Sequence, residues 1–271
     1  MIDPTLVNAA LEAAKEPIAN ISNPPTHSIG RFFGDTLDFW FSDRELKYAK
    51  KRIIDEIALR KFREECETEF AKIPEEELVP PRKALLLPAL DAAEYYVEEE
   101  DLRKMFARLA AACCDGRRAN TVHPSFTQII QQLSPLDAQN LSYFYNIKIK
   151  HKADQEEKGF ALALMLNPKG KKIDLSHKII FFLRDDSHET KDLFLQSDSI
   201  AVLISLGLIH YSIIIENHHS EGLSYKNIHR IMNATSKLGL NGSFSFGHIE
   251  LTRFGQNICS ICLPNQEELP Q

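Results

Sequence analysis

The nineteen residues from His123 to Leu141, HPSFTQIIQQLSPLDAQNL, constrain the fold more than any other stretch of the chain. Pro124 and Pro135 mark two helix starts, because a first helical turn needs no backbone donor. Ser134 is expected to cap the second helix, with Asp137 in the capping-box position. Between the prolines, apolar residues recur at helical spacing on one face, namely Phe126, Ile129, Ile130 and Leu133. The stretch predicts two consecutive helices, of which the first is amphipathic.

Helical patterns fill most of the first 150 residues. A charged helix is predicted from Asp43 to about Ala71, with Leu46, Ile53, Ile57, Phe62, Cys66 and Phe70 turned inward. A buried helix around Leu85–Leu90 follows, in which Pro88 either bends the helix or delays its start. The acidic residues 98–101 favour the start of another helix. Its inner side carries Leu102, Met105, Phe106, Leu109 and Ala110.

The pattern changes after about Lys150. A helix is predicted over residues 192–206 and ends at Gly207, and residues 208–215 are rich in residues that favour strands. Residues 225–238 return to helical spacing. Residues 243–251 alternate between apolar and other side chains, as a strand or bent hairpin does. A short final helix is expected. The predicted fold is mainly α, an N-terminal helical bundle with a small C-terminal α+β winged-helix-like domain.

These patterns predict five segments. They are a flexible arm (1–28), a helical domain (29–150), a polar connecting segment (151–190), a winged-helix-like α+β domain (191–264) and a disordered tail (265–271).

Composition favours a soluble globular protein, with 44% hydrophobic and 26% charged residues. The net charge of −6 argues against general affinity for nucleic acid, although a local basic face is compatible with it. The N-terminus does not read as a secretory signal, and no apolar run reaches the length of a membrane span. Five cysteines, an odd number, fit a reducing compartment. We expect a cytoplasmic protein.

The order of motifs from Ile29 to Leu263 resembles the Abi-alpha (abortive infection alpha) family of bacterial phage-resistance proteins. The resemblance rests on HPSFTQIIQQLSPLDAQ, on LISLGLI at 203–209 and on IELTRFGQNIC at 249–259. Two departures are Cys113-Cys114-Asp115 and the polar insert at 151–178. The resemblance implies phage defence and an α-helical body. It supplies no catalytic residue to carry over.

Two groups of residues are expected to organise the structure rather than to react. His123, Pro124, Phe126, Ser134 and Pro135 hold the central helix pair. Thr252, Phe254 and Gly255 join the last strand to the last helix, which Thr252 is placed to cap. His123 is interpreted as a hydrogen-bonded residue at a helix entry rather than a catalytic base.

No cofactor and no metal are expected. Cys259 and Cys262 form a C-x-x-C pair, but the spacing of the other candidate ligands, Cys113, Cys114, His218 and His219, matches no standard zinc finger. Packing in a helix face is the preferred interpretation of the pair.

Two sets of residues carry alternative interpretations. A nucleic-acid interface could use Lys226, His229, Arg230 and Arg253. A peripheral membrane or protein interface could use Phe32, Phe33, Trp40, Phe41, Lys47, Lys50 and Lys51, although packing of the aromatic residues in the helical core or in a dimer seam is preferred.

The sequence therefore predicts a non-enzymatic bacterial anti-phage protein. It would act through protein contacts, with an unknown protein or phage component as partner, and as a homo-oligomer. A winged-helix nucleic-acid-binding regulator and a membrane-perturbing effector stay open as alternatives.

Overall fold

A computed structural model describes residues 37–38, 40–42, 53–153, 161–168, 179–182, 193–213, 224–237 and 242–264. Several predictions lie outside these residues. They concern the arm at 1–28, the tail at 265–271 and the side chains of Phe32, Phe33, Lys47, Lys50 and Lys51.

Helices dominate the described part of the chain. They are α1 (Ile53–Ala71), α2 (Lys83–Ala93), α3 (Glu100–Ala112), α4 (Ser125–Ile130), α5 (Pro135–Ala153), α6 (Leu193–Ser205), α7 (Ser224–Lys237) and α8 (Arg253–Cys262). A short 3-10 turn covers Glu75–Glu77, and residues 37–38 and 40–42 are also helical. The mainly α prediction is confirmed.

The apolar positions predicted for α2, α3 and α4 form the core. Leu90, Phe106, Phe126 and Ile130 are completely buried. On α1, Phe62 and Cys66 are buried as predicted, but the prediction that Ile57 points inward is wrong, since Ile57 is 49% exposed. Ala58, Leu59 and Phe62 are buried on this helix, and successive residues point about 100° apart, so Ile57 falls at the edge of the buried face.

The C-terminal part contains a four-stranded antiparallel sheet in the order β2-β1-β4-β3. Its strands are β1 (Ala161–Pro168), β2 (Ile179–Phe181), β3 (Ile209–Ile213) and β4 (Gly242–Leu251). The helix–strand–helix–strand order predicted after residue 191 is confirmed, and residues 243–251 are one strand rather than a bent hairpin. The similarity of this part to a winged helix stays a prediction.

Strands β1 and β2 lie within residues 151–190, where only a polar connecting segment was predicted. Leu164 of β1 pairs with Phe246 of β4, and Met165 pairs with Ser245. The run Ala161–Leu166 is continuously apolar, a pattern that fits a strand with neighbours on both sides as well as it fits a helix. Because polar residues flank this run on both sides, the sequence pattern did not predict the strand.

The last helix, α8, joins the C-terminal sheet to the N-terminal helices. It packs against α3 and α5 as well as against β4. One hydrophobic cluster therefore includes Leu109 of α3, Leu251 of β4 and Ile258 of α8. A buried polar link adds to it, because Asn140 of α5 donates hydrogen bonds to Gln196 and Ser199 of α6 over 2.8 and 2.9 Å. The core thus spans both predicted domains, whose boundaries stay a prediction.

Among the described helices, none combines the length and the apolar character that crossing a bilayer would require.

Candidate functional site

A groove of about 490 Å³ opens between α2 and α4. We call it the α2–α4 groove. One wall is formed by Ala84, Leu85, Pro88, Asp91 and Ala92 of α2, together with Tyr95 just beyond the end of this helix. The other wall and the floor are Leu109, Val122, His123, Pro124, Thr127, Gln128 and Gln131. The spacing of 84, 88, 91 and 92 is that of one helix face, which explains why these four side chains meet in one place.

Pro88 lies in the middle of α2 and shapes this wall of the groove. The helix begins at Lys83, so the prediction that Pro88 delays its start does not hold. Because proline has no backbone N–H, the carbonyl of Ala84 does not receive its usual helical hydrogen bond from residue 88. Both Ala84 and Pro88 line the groove. The helix therefore lacks one of its regular hydrogen bonds where it lines the groove.

Two hydrogen bonds hold the walls of the groove in place. The indole Nε1 of Trp40 donates to Oδ1 of Asp91 over 3.0 Å. The hydroxyl of Tyr96 donates to the carbonyl of Gln131 over 2.6 Å, which joins the turn after α2 to the end of α4. The neighbouring Tyr95 is 81% exposed. A large aromatic side chain thus projects from a fixed backbone beside the groove.

His123 lies at the entrance to α4 and uses its ring for local contacts. Its Nδ1 accepts a hydrogen bond from the backbone N–H of Ser125 over 3.1 Å and lies 2.7 Å from the Ser125 hydroxyl. The ring also lies near Phe126 and Phe254, with centroids 6.2 and 6.3 Å apart. With Nδ1 occupied by a backbone donor, the ring behaves as a helix cap that also touches α8.

We expect His123→Ala to lower the free energy of unfolding by about 1 kcal/mol, because it removes the acceptor for a free helix N–H. Chemical denaturation measures this effect. His123→Asn is the matched control, since an asparagine side chain can accept the same hydrogen bond. A His123→Ala protein with unchanged stability and no phage protection would contradict the structural interpretation.

The other predicted organisers lie at helix starts. Ser134 and Asp137 exchange the bonds of a capping box, in which the Ser134 N–H donates to Asp137 over 2.7 Å and the Asp137 N–H donates to the Ser134 hydroxyl over 3.2 Å. Thr252 caps α8 by accepting from the N–H of Gly255 over 2.9 Å. Phe254 packs on Phe126, with centroids 5.8 Å apart. These residues therefore connect α4, α5 and α8.

The family model described as abortive infection alpha matches residues 54–262. The chain belongs to the abortive infection alpha family. The match includes the whole α2–α4 groove, the four strands and the caps of α4, α5 and α8. No protein of curated function and no solved structure matches the chain. The family description connects the protein with abortive infection, a form of antiviral defence.

Within this family match, the predicted nucleic-acid residues occupy two helices. Lys226, His229 and Arg230 belong to α7, and Arg253 is the first residue of α8. His229 and Arg253 are exposed, Arg230 is half-buried, and the side chain of Lys226 lies outside the described residues. Nucleic-acid contact by these four residues stays a prediction.

The alternative that Trp40 and Phe41 contact a membrane or a partner is wrong. Their side chains are 3% and 0% exposed. Trp40 meets Phe41 edge to face at 4.8 Å, and both rings approach Phe62 of α1. These two rings are buried against other side chains of the protein, as the preferred interpretation of core packing predicts.

All five cysteines are buried, and none of them forms a disulfide bond. Burial raises the pKa of Cys113 to about 12 and that of the Cys66 and Cys259 thiols well above the ordinary value. A protonated thiol is a poor nucleophile and a poor metal ligand. Among the described residues, no group of three or more Cys, His, Asp or Glu side chains is arranged to hold a metal ion.

Of the residues that line the groove, the sequence indicated a structural role for His123 and Pro124 but did not indicate the groove itself. Asp91, Tyr95, Gln128 and Gln131 were not singled out. The available signal was Pro88, because a proline within a helical pattern often marks a functional bend. The pairing of α2 with α4 is a tertiary contact, which spacing along the chain does not show.

Proposed function

We propose that this member of the abortive infection alpha family acts in phage defence without catalysis, by binding a protein partner in the α2–α4 groove. The observation that supports this most is the groove itself, with Tyr95 projecting beside it at 81% exposure. Exposed aromatic residues on a fixed backbone are typical anchors of protein interfaces.

The chemistry of the groove indicates what kind of partner it accepts. Ala84, Pro88 and Ala92 give one wall an apolar surface, while Thr127, Gln128 and Gln131 give the other wall neutral polar groups. Asp91 lies on the α2 wall, where its carboxylate accepts a hydrogen bond from Trp40. The complementary segment therefore carries apolar side chains toward α2 and neutral hydrogen-bonding groups toward α4.

The dimensions of the groove favour a short segment. Its wall follows the eleven residues of α2, a length of about 16 Å. That length accommodates about three turns of a partner helix, or a short extended peptide. A contact of this size suits a transient complex that forms on infection better than a permanent one.

Plaque assays with Tyr95→Ala test this proposal. Because Tyr95 is exposed, we expect its replacement to change the free energy of unfolding by no more than about 0.5 kcal/mol. Loss of an aromatic anchor should nevertheless reduce protection about tenfold or more. Leu195→Ala on α6 is the matched control, since Leu195 is an exposed apolar residue at 58% and lies outside the groove.

A second substitution in the facing wall makes the test decisive. Gln128→Lys places a charge in the groove and should also reduce protection without unfolding the protein. If Tyr95→Ala and Gln128→Lys both protect as well as the unaltered chain, the groove is not the functional surface and the proposal fails.

We further propose that the protein works in the cytoplasm as a homo-oligomer. The odd number of cysteines, five in all, supports a reducing compartment. Sedimentation velocity of the full chain tests the oligomeric state.

A further inference from the structure

The part of the chain that precedes the described residues is attached beside the α2–α4 groove. Leu37 and Trp40 belong to the first described helical residues, and both are buried. The indole of Trp40 donates to Asp91, which lines the groove. Leu37 precedes Trp40 by less than one helical turn. Residues 1–36 are therefore tethered next to the α2 wall of the groove.

Residues 4–15 of this preceding part have the sequence pattern of an amphipathic helix, and we call them the N-terminal segment. Asp3 is a favoured N-cap, Pro4 a favoured first helical residue, and Pro17 marks the end. At about 100° per residue, polar and apolar residues separate onto opposite sides. The polar side has Thr5, Asn8, Glu12 and Lys15. The apolar side has Leu6, Val7, Ala9, Ala10, Leu11, Ala13 and Ala14.

A helix of this length needs a surface to pack against. Isolated helices of about twelve residues are marginal in water, because most helical stability in proteins comes from packing of the amphipathic face. The α2 wall offers such a surface, with Ala84, Pro88 and Ala92 in the groove and Leu87 of the same helix 38% exposed. The lengths also agree, since twelve helical residues extend about 18 Å and α2 about 16 Å.

The polar residues of the N-terminal segment suit the other wall. Thr127, Gln128 and Gln131 present neutral hydrogen-bonding groups there. Thr5 and Asn8 are neutral hydrogen-bonding residues as well. The segment thus has the two kinds of surface that the groove requires of its ligand, apolar toward α2 and neutral polar toward α4.

The connection to Leu37 is long enough for this placement. Residues 17–36 separate the N-terminal segment from Leu37, and a chain of that length spans at most about 70 Å. That reach exceeds the length of the groove wall several times. Tethering also gives the segment an effective concentration of about 1 mM at the groove. A second copy of the protein at about 1 μM would therefore compete about a thousandfold less well.

We propose that the N-terminal segment occupies the α2–α4 groove of its own chain, and that a partner must displace it. This inference rests on the proposed function of the groove and adds its regulation. A segment with an intrinsic Kd of about 0.1 mM would fill the groove in about nine molecules of ten and weaken partner binding about tenfold. Only a partner that binds more tightly, or accumulates during infection, then gains access.

Crosslinking of two engineered cysteines in the full chain tests this placement. Asn8→Cys is combined with Gln128→Cys, because Gln128 is exposed on the α4 wall, and a short bismaleimide is added. The native cysteines are buried and react slowly. Asn8→Cys with Leu195→Cys is the matched control, since Leu195 is 58% exposed but lies outside the groove. We expect crosslinking within one chain to be at least about tenfold faster at position 128 than at position 195.

A third substitution tests whether the apolar side holds the segment in place. Leu11→Ser, added to the 8–128 pair, should slow crosslinking at least about tenfold, because it removes a buried apolar side chain. Glu12→Ser is its control on the polar side and should leave the rate unchanged. Gln131→Cys provides a second groove position should Gln128→Cys unfold the protein, which thermal denaturation reports.

Equal crosslinking rates at positions 128 and 195, or an unchanged rate with Leu11→Ser, would refute the placement. Crosslinked dimers would also overturn it, in favour of a second copy as the occupant. These outcomes are separate from the plaque assays. If crosslinking fails while Tyr95→Ala still loses protection, the groove remains the partner surface and only its internal occupant is refuted. If crosslinking succeeds while Tyr95→Ala and Gln128→Lys protect fully, the placement stands and the proposed function fails.

Discussion

Gly255→Ala is expected to lower the free energy of unfolding by about 4 kcal/mol, one of the largest effects of a single methyl group in this protein. A Cβ at this position would lie 1.9 Å from the carbonyl oxygen of Leu208 and 2.8 Å from its carbonyl carbon. Both atoms belong to the backbone, so no side-chain rotation relieves the overlap. The start of α8 would have to move away from the residues that precede β3.

That movement would break several hydrogen bonds together. The Thr252 N–H donates to the carbonyl of Leu208 over 3.0 Å, and the Thr252 hydroxyl donates to the carbonyl of Gly207 over 2.6 Å. Gly255 itself completes the cap by donating to Thr252. Equilibrium unfolding in urea measures the loss.

Gly207→Ala is the matched control for this substitution. Gly207 has a φ of +70° and no heavy atom near the position of an added Cβ. The N–H of Leu208 donates to the carbonyl of Leu203, and that of Gly207 to the carbonyl of Ile204, which is the Schellman pattern at the end of α6. Alanine there should cost only about 1–2 kcal/mol, from the left-handed conformation alone. Equal losses at positions 207 and 255 would show that steric overlap is not the cause.

Glu65→Ala is expected to cost about 3 kcal/mol, because it leaves a buried guanidinium group without its carboxylate. Arg103 of α3 donates from Nε and Nη2 to the two oxygens of Glu65 on α1, over 3.0 and 2.9 Å. The side chains are 7% and 21% exposed, so water cannot replace the lost partner fully. The remaining bond, from Nη1 to the carbonyl of Val97, does not compensate for the charge.

Replacing both members of the pair distinguishes this explanation from a loss of packing. A protein carrying Glu65→Leu together with Arg103→Met should be more stable than Glu65→Ala, because no buried charge remains. Glu100→Ala is the control, since Glu100 forms an exposed pair with Lys104 and should change stability by no more than about 0.5 kcal/mol. A double variant less stable than Glu65→Ala would refute the explanation.

Local patterns predicted local structure well. The prolines and the Ser134 capping box placed α4 and α5, and Gly207 and Thr252 placed the end of α6 and the start of α8. In each case a side chain or a backbone conformation satisfies groups only a few residues away. Such interactions are encoded in short stretches, so a single sequence shows them.

Contacts between residues that are far apart in the sequence were not predicted. Leu164 of β1 pairs with Phe246 across most of the C-terminal part, and apolar character alone does not reveal that partner. Trp40 donates a hydrogen bond to Asp91 across 51 positions, so the sequence predicted that Trp40 packs inside the protein but did not show its partner. The α2–α4 groove is likewise brought together from separate helices. Apart from His123 and Pro124, its polar residues became candidates only when the helices were packed.

The position of α8 among the N-terminal helices has a consequence for synthesis of the protein on the ribosome. Helix α3 ends at Ala112, whereas α8, which covers it, begins at Arg253. At ordinary elongation rates the nascent chain must wait about 7–30 s between making the two. During that interval the apolar residues of α3 that pack against α8 stay exposed, and ribosome-associated chaperones can bind them. Premature termination before residue 253 would produce a polypeptide prone to aggregation rather than a smaller working protein.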